Sequence, residues 1–379
     1  MKKHIAAALF LAIHFCLELH AQTTNSPASR LRALGAVEIP GTVPVFFVAS
    51  AKERAVRLQK SLEAAHSWYE EQFNIRVPVV LAIVNAEMEQ KLVDLITTRS
   101  VPTEESPRLI AINERTAGSP QGADPEHASG GILNNEHVLF HDDGHAFFDA
   151  LRIGDVRASE DKSSFAANMY AYNRTVVEFV GAFFTIGYIH AKRPDLKFLL
   201  EDRRFRRRDP PRYPTLVDFD YLGGIGDPSY FWFMNQMERI ADALLTKYPD
   251  FKGGIQKVKV AFHDQAKSVA PDEVRARLET IWPGFTEIAG ELAGPGTIPA
   301  IKPTSCPEPV KRDANSSRIV IRNDSDEVAG IRDVDGKPLT VPAHSWRRFG
   351  ARVGAFFTLP DGTCLVAQNE PTLFVIGNR

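Results

Sequence analysis

The sequence contains few cysteines and has almost no net charge. It contains three cysteines in 379 residues, and its 45 basic side chains nearly balance 47 acidic ones. This balance gives no electrostatic reason to expect nucleic acid as a partner. The one basic cluster, at 203–212, is interrupted by Asp209 and by prolines, which favours a solvated loop over a polyanion site.

Long apolar runs are missing from the N-terminal region. The run at 5–17 is shorter than the roughly 18 residues that a membrane span needs. Two lysines precede it and the small residue Ala21 follows it, a pattern typical of a cleaved export signal at 1–21. We therefore expect an extracytoplasmic protein, periplasmic or secreted, with no stable membrane span after cleavage. An uncleaved N-terminal anchor is the alternative.

Two cysteines remain once Cys16 leaves with the signal. An even pair in an oxidising compartment predicts one disulfide, between Cys306 and Cys364. Two free, buried thiols are the alternative, because a sequence does not show whether two Cα atoms come within about 7 Å.

The pattern of apolar residues predicts two domains. Residues 37–293 place strand-like runs before helix-like runs, which is typical of an α+β domain. Residues 294–317 are rich in proline, glycine and small polar residues, which indicates a linker. Residues 318–379 alternate short strands with turns and predict a compact all-β sandwich.

Within 37–293, strands precede a mainly helical region. Ser50 and Glu53 form the S-x-x-E pattern of a capping box at the start of the first helix. The predicted strands are 44–48, 77–84, 109–112 and 132–133, and the predicted helices are 50–73, 136–151, 165–190, 229–248 and 271–281.

A histidine pair lies in the predicted helix 136–151. His141 and His145 are four residues apart in the run HVLFHDDGHAFFD. On a helix this spacing places both imidazoles on one face, so that they can bind one tetrahedral ion at about 2.0 to 2.1 Å. His137 and His141 form a second pair with the same spacing. Val138 follows His137 and offers no proton acceptor, so we interpret His137 as a capping or structural histidine.

Glu178 is the best candidate for a third metal ligand. It lies in the apolar run VVEFVGAFFTIGYI, where an unpaired carboxylate is costly to bury and needs a cationic partner. Two histidines and a glutamate are an established ligand set for catalytic Zn²⁺. The alternative partner is Arg174, four residues earlier, in an ordinary ion pair.

The run HDDGHAFFD resembles the H-E-x-G-H-A-x-x-D helix of the gluzincin metallopeptidases. Over 37–293, this resemblance implies a small mixed sheet above a metal-binding helix, a helical second lobe, a zinc ion and hydrolysis of peptide bonds. It further implies that Asp149 orients an imidazole. Residues 130–133 would be the edge strand that aligns an extended peptide.

Asp142 stands where that family has its catalytic glutamate. Its side chain is shorter by about 1.5 Å, and a shift of about 1 Å can cost on the order of a hundredfold in rate. Asp142 is the candidate proton acceptor, and Tyr230 or Tyr221 the candidate transition-state donor. The sequence therefore leaves two hypotheses: a peptidase of weakened activity, or an inactive metal-containing protein that binds a protein or peptide partner.

Residues 318–379 are similar to the β domain of the von Hippel-Lindau protein. The similarity rests on dispersed residues, among them Asn323, Asp335-Gly336-Lys337-Pro338, the pair Arg347 and Arg348, and the closing Leu373-Phe374-Val375. It implies a sandwich fold. For function it favours a generic accessory sandwich, with a peptide-binding module as the alternative, because function does not follow from fold alone.

Overall fold

The structure is a computed structural model. It describes residues 26–92, 94–95, 102–104, 106–114, 125–156, 173–197, 210–222, 229–262, 269–307, 316–333 and 335–377, with the backbone alone at 125–135, 152–156, 231 and 316. The predicted export signal 1–21 and residues 203–209 of the basic cluster lie outside these ranges. Among the helices in these ranges, none is both long and apolar enough to cross a membrane.

The chain is α+β, as predicted, and it divides into two compact units. Unit 1 comprises Met1–Glu160 and Gly187–Leu196, and unit 2 comprises Asp161–Ile186 and Lys197–Arg379. The division falls inside one continuous helix, Arg174–Lys192. The domain boundaries proposed from the sequence stay predictions.

Unit 1 contains a small mixed sheet. Its strands run in the order β1-β2-β3-β4, with β1 antiparallel to β2 and the other pairs parallel. Every residue of β3 is buried, as expected for a strand with neighbours on both sides and apolar cover on both faces. The described elements are α1 (Pro27–Ala33), β1 (Val37–Ile39), β2 (Val45–Phe47), α2 (Lys52–Phe73), β3 (Val79–Val84), α3 (Ala86–Lys91), β4 (Arg108–Asn113) and α4 (Pro125–Val156).

Helix α2 forms because its apolar residues recur every three or four positions. Leu58, Leu62 and Tyr69 belong to this buried face. The helix ends at Asn74, which adopts the left-handed conformation. The predicted capping box was wrong: the N-cap is Ala51, and the Ser50 hydroxyl instead donates to Glu114 at 2.9 Å.

Helix α4 is longer than the sequence suggested. Residues 130–133, predicted as an edge strand, lie inside this helix, so that prediction was wrong. Pro125 is its first residue, a position where the fixed φ of proline suits a helix and its missing N–H costs no hydrogen bond. In the described sheet, β4 is an edge strand and contacts α4. Nη1 of Arg108 on β4 lies 3.9 Å from Oδ2 of Asp149 on α4.

Unit 2 combines helices with a β-rich C-terminal part. Its described helices are α5 (Arg174–Lys192, shared with unit 1), α6 (Leu216–Leu222), α7 (Tyr230–Lys247), α8 (Phe251–Ala261), α9 (Pro271–Ile281) and α10 (Phe285–Ala289). Aromatic rings hold these helices together. Phe179 packs on Trp282 and Phe285, and Phe183 on Phe251, with ring centroids 5.6 to 5.9 Å apart.

The C-terminal part contains two sheets. One is antiparallel in the order β10-β9-β6-β7, and the other has the order β11-β5-β8, with β11 parallel to β5. Ile319 and Ile321 of β5 share one apolar cluster with Ile331 and Phe357 of the other sheet. The strands are β5 (Ser316–Asn323), β6 (Ala329–Arg332), β7 (Pro338–Val341), β8 (Ser345–Arg352), β9 (Phe356–Thr358), β10 (Cys364–Val366) and β11 (Thr372–Ile376).

The segment before β5 is attached to these sheets. Cys306 and Cys364 form a disulfide with a Cα separation of 4.9 Å. Thr304 pairs with Cys364, and Ala300 pairs with Leu373. Residues 300–306 therefore lie along β10 and β11 rather than apart from them.

Candidate metal centre

Helix α4 carries the two histidines on one buried face. His141 and His145 are 7% and 5% exposed, and their rings meet edge to face with centroids 4.5 Å apart. This contact follows from the four-residue spacing on a helix. Phe140 and Phe147, on the same helix, are fully buried and hold it against Tyr188 and Tyr69.

Helix α5 carries Glu178 in an almost completely apolar stretch. The residue is 1% exposed. Its Oε2 accepts a hydrogen bond from the Tyr230 hydroxyl at 2.9 Å. Its Oε1 lies 3.8 Å from Nη1 of Arg174, one turn earlier. The ion pair with Arg174 is thus present as a long contact, beyond hydrogen-bond distance.

His141, His145 and Glu178 form a group that could hold a metal ion. One ring nitrogen of each histidine and a carboxylate oxygen of Glu178 all lie within 4.8 Å of one another. In a tetrahedral site with ligands at about 2.1 Å, the ligand atoms are about 3.4 Å apart, so modest side-chain rotation closes the group around an ion. Two imidazoles and a buried carboxylate suit Zn²⁺ chemically. In the part of the chain that the structure describes, His137 is not a member of this group.

The other predicted site residues take different places. Asp142 is half-buried on α4, directly after His141. Asp149 lies near Arg108 of β4, at 3.9 Å, and its role toward an imidazole stays a prediction. Tyr230 reaches Glu178, whereas Tyr221 packs on Trp346 with ring centroids 5.1 Å apart. Burial raises the pKa of Tyr221 to about 12.

A buried pair next to the two histidines, His66 and Asp143, was not predicted from the sequence. Nδ1 of His66, on α2, lies 3.0 Å from Oδ1 of Asp143, which is completely buried on α4. Burial alone lowers the pKa of His66, but the negative charges of Asp143 and Glu70 outweigh burial, so the pKa of His66 is raised. Burial also raises the pKa of the Asp143 carboxyl. The pair therefore holds a proton tightly. The one local signal for this pair in the sequence was the second aspartate of HDDGH.

A second missed network fixes the start of α5. The Asp220 carboxylate, on α6, accepts from the backbone N–H of Thr175 at 2.6 Å and from the Asn173 amide at 2.9 Å. Asn173 is further bonded to both backbone groups of Val269. Asp220 thereby satisfies a backbone N–H at the beginning of the helix that carries Glu178. Burial raises the pKa of Asp220 to about 6.

Comparison with known proteins adds little to this geometry. No family model matches the chain, and no curated protein matches it. The chain is similar to the crystal structure of Legionella pneumophila aminopeptidase A in complex with aspartic acid, at 14% identity and a TM-score of 0.35, over 84% of this chain and 35% of that one. It thus spans about a third of that protein's length. A likeness this slight assigns neither fold nor function.

Proposed function

We propose that the protein is an exported, zinc-dependent peptidase of the gluzincin type whose activity is weakened by Asp142. The observation that carries this proposal is the convergence of His141, His145 and Glu178 within 4.8 Å. These residues would hold the ion. When bound, zinc supplies Lewis acidity that polarises a peptide carbonyl and lowers the pKa of water.

The chain's own residues have distinct roles in this proposal. Asp142 accepts a proton from the attacking water, because it follows the first histidine as the proton acceptor does in this enzyme class. Tyr230 donates to Oε2 of Glu178 and so fixes the carboxylate in one orientation. In this arrangement its proton points at the ligand, so a role as transition-state donor requires the hydroxyl to turn toward the substrate.

An inactive binding protein is the second candidate, and Asp142 is the feature that favours it. A carboxylate about 1.5 Å short of the usual position takes up a proton poorly, whereas metal binding does not need it. In that case the ion would stabilise the fold. The C-terminal sheets, which we propose form a von Hippel-Lindau-like sandwich, would then recognise a peptide or protein.

Replacing Asp142 by glutamate tests the peptidase proposal. Zinc-loaded Asp142→Glu should hydrolyse peptides at least about tenfold faster than wild type, because the added methylene brings the carboxylate within reach of the attacking water. Asp142→Asn, which removes the base, should be inactive. Zinc content should be equal in all three proteins. A wild type that is faster than Asp142→Glu, or three zinc-loaded proteins that cleave nothing, would count against the proposal.

A further inference from the structure

Arg174 lies next to a proposed metal ligand, Glu178, and carries a buried hydrogen-bond donor. Among the residues that the structure describes, nothing accepts a hydrogen bond from its Nη1 atom, which is buried. The side chain as a whole is 31% exposed, so the guanidinium can still be reached from solvent. Buried donors are nearly always satisfied in native proteins, and one that is not calls for an explanation.

Among the described residues, Glu178 and Asp220 place carboxylates near Arg174, and each accepts hydrogen bonds from other donors. Glu178 accepts from Tyr230 through Oε2, and its Oε1 is 3.8 Å from Nη1 of Arg174. Asp220 accepts from the Thr175 backbone and from the Asn173 amide, one bond on each oxygen. Neither carboxylate forms a hydrogen bond with Nη1 of Arg174.

A cation at Glu178 would make this region positive. The Glu178 charge would then be shared with the ion, and the guanidinium would lack its full counter-charge. A carboxylate is the group that a guanidinium binds best, through two parallel N–H···O bonds. We propose that Arg174 binds a carboxylate group of the substrate, an inference that rests on the proposed peptidase function and narrows it to peptides with a carboxylate close to the cleaved bond.

A peptide can present this carboxylate in two ways. It can be the side chain of a glutamate or aspartate near the cleaved bond, or the α-carboxylate of the peptide's C-terminus. The first makes the protein selective for acidic sequences. The second makes it an enzyme that trims C-terminal ends.

The test compares wild type, Arg174→Gln, Arg174→Lys and Lys192→Gln, all loaded with zinc. Lys192→Gln is the matched control, because it removes one positive charge from the exposed far end of the same helix. Cleavage sites in a peptide mixture are first located by mass spectrometry. Paired substrates are then made around each site, one pair differing by glutamate against glutamine and the other by C-terminal acid against amide.

Wild type and Lys192→Gln should prefer the carboxylate member of one pair by about tenfold or more in kcat/KM, mainly through KM. The pair that shows the preference identifies the source of the carboxylate. Arg174→Gln should lose the preference with unchanged zinc content, because its kcat/KM for the carboxylate member falls to that for the neutral member of the pair. Arg174→Lys should retain part of it, because it keeps the charge without the planar fork.

Three outcomes overturn the proposal. One is an active wild type that prefers the carboxylate member of neither pair. Another is a preference that survives in Arg174→Gln. The third is an equal loss of zinc and of activity on all peptides in Arg174→Gln, which would mean that Arg174 only supports Glu178. If wild type cleaves nothing, the proposed function fails separately, and the same pairs are titrated into each zinc-loaded protein by calorimetry. If Arg174 binds a carboxylate, wild type should bind the acidic member of one pair about tenfold more tightly than the neutral member. Arg174→Gln should bind both members equally. Any other result overturns the proposal.

Discussion

At the scale of single residues, the contact between His66 and Asp143 lies beside the proposed metal ligands of α4. Asp143 is fully buried and His66 is 2% exposed, and both carboxylate oxygens of Asp143 lie within hydrogen-bond distance of Nδ1 of His66, at 3.0 and 3.3 Å. Because Asp143 lies between His141 and His145 in sequence, its bond to α2 limits rotation of α4. The pair therefore ties α2 to the turn of α4 that carries both histidines.

Breaking the pair should be strongly destabilising. His66→Leu should lower the free energy of unfolding by about 3 to 5 kcal/mol, because it leaves the Asp143 carboxyl buried without its partner. The double variant His66→Leu, Asp143→Leu should recover most of that loss, since two apolar side chains need no hydrogen bonds. Urea denaturation of the three proteins measures the difference. Equal loss of stability in the single and double variants would contradict the unpaired Asp143 carboxyl as the cause, and a single variant as stable as wild type would show that the pair does not stabilise the fold.

The pair was not predictable from sequence, whereas the histidine spacing was. His141 and His145 are neighbours on one helix, so their relation is local and follows from the helical period. His66 lies 77 residues before Asp143, and nothing in its own segment indicates a carboxylate partner. Contacts of this kind depend on how α2 packs against α4, which a single sequence does not encode in any local pattern.

At the scale of elements, the start of α5 depends on a carboxylate from α6. Asp220 accepts from the Thr175 backbone and anchors Asn173 as well. The burial that allows this contact raises the pKa of Asp220 from its ordinary 3.8 to about 6. The first turn of the helix that carries Glu178 is thus bonded to the Asp220 carboxyl, whose ionised form is costly to bury.

The raised pKa of Asp220 predicts a pH-dependent stability. The folded protein binds this proton more tightly than the unfolded chain does, so stability is greatest below about pH 4 for this group and falls as pH rises to about 6. Two pKa units correspond to about 3 kcal/mol. Asp220→Asn should remove this slope, whereas Asp250→Asn, at the exposed cap of α8, should keep it. Urea unfolding between pH 4 and 7 measures both, and identical slopes in all proteins would contradict the assignment.

Some elements were read correctly from local signals and others were not. Helix Pro271–Ile281 was predicted to the residue, because proline opens it and Val274, Leu278 and Ile281 recur at helical spacing. The start of α4 was missed, because the glycines and asparagines that precede His137 favour turns locally. Strand β7 gives a weak local signal, because its four residues begin with proline and are flanked by turn residues.

At the scale of the whole molecule, the disulfide ties residues 300–306 to the C-terminal sheets. It joins an exposed cysteine to a completely buried one across 58 residues of sequence. Replacing both Cys306 and Cys364 by serine should lower the stability of this region by about 2 to 4 kcal/mol. Thermal unfolding of the variant, compared with oxidised wild type, measures the loss, and reduced wild type should unfold like the variant. A variant as stable as oxidised wild type would argue against a stabilising role.

The central claim is that His141, His145 and Glu178 hold one metal ion, and metal content measures it most directly. Protein purified in the presence of zinc, freed of loosely bound ions and analysed by elemental mass spectrometry, should contain about one zinc per chain. His141→Ala, His145→Ala and Glu178→Ala should each lose most of it. His137→Ala, which removes a buried histidine one turn earlier on the same helix, should keep it. Full zinc content in the His141→Ala, His145→Ala double variant would contradict the account.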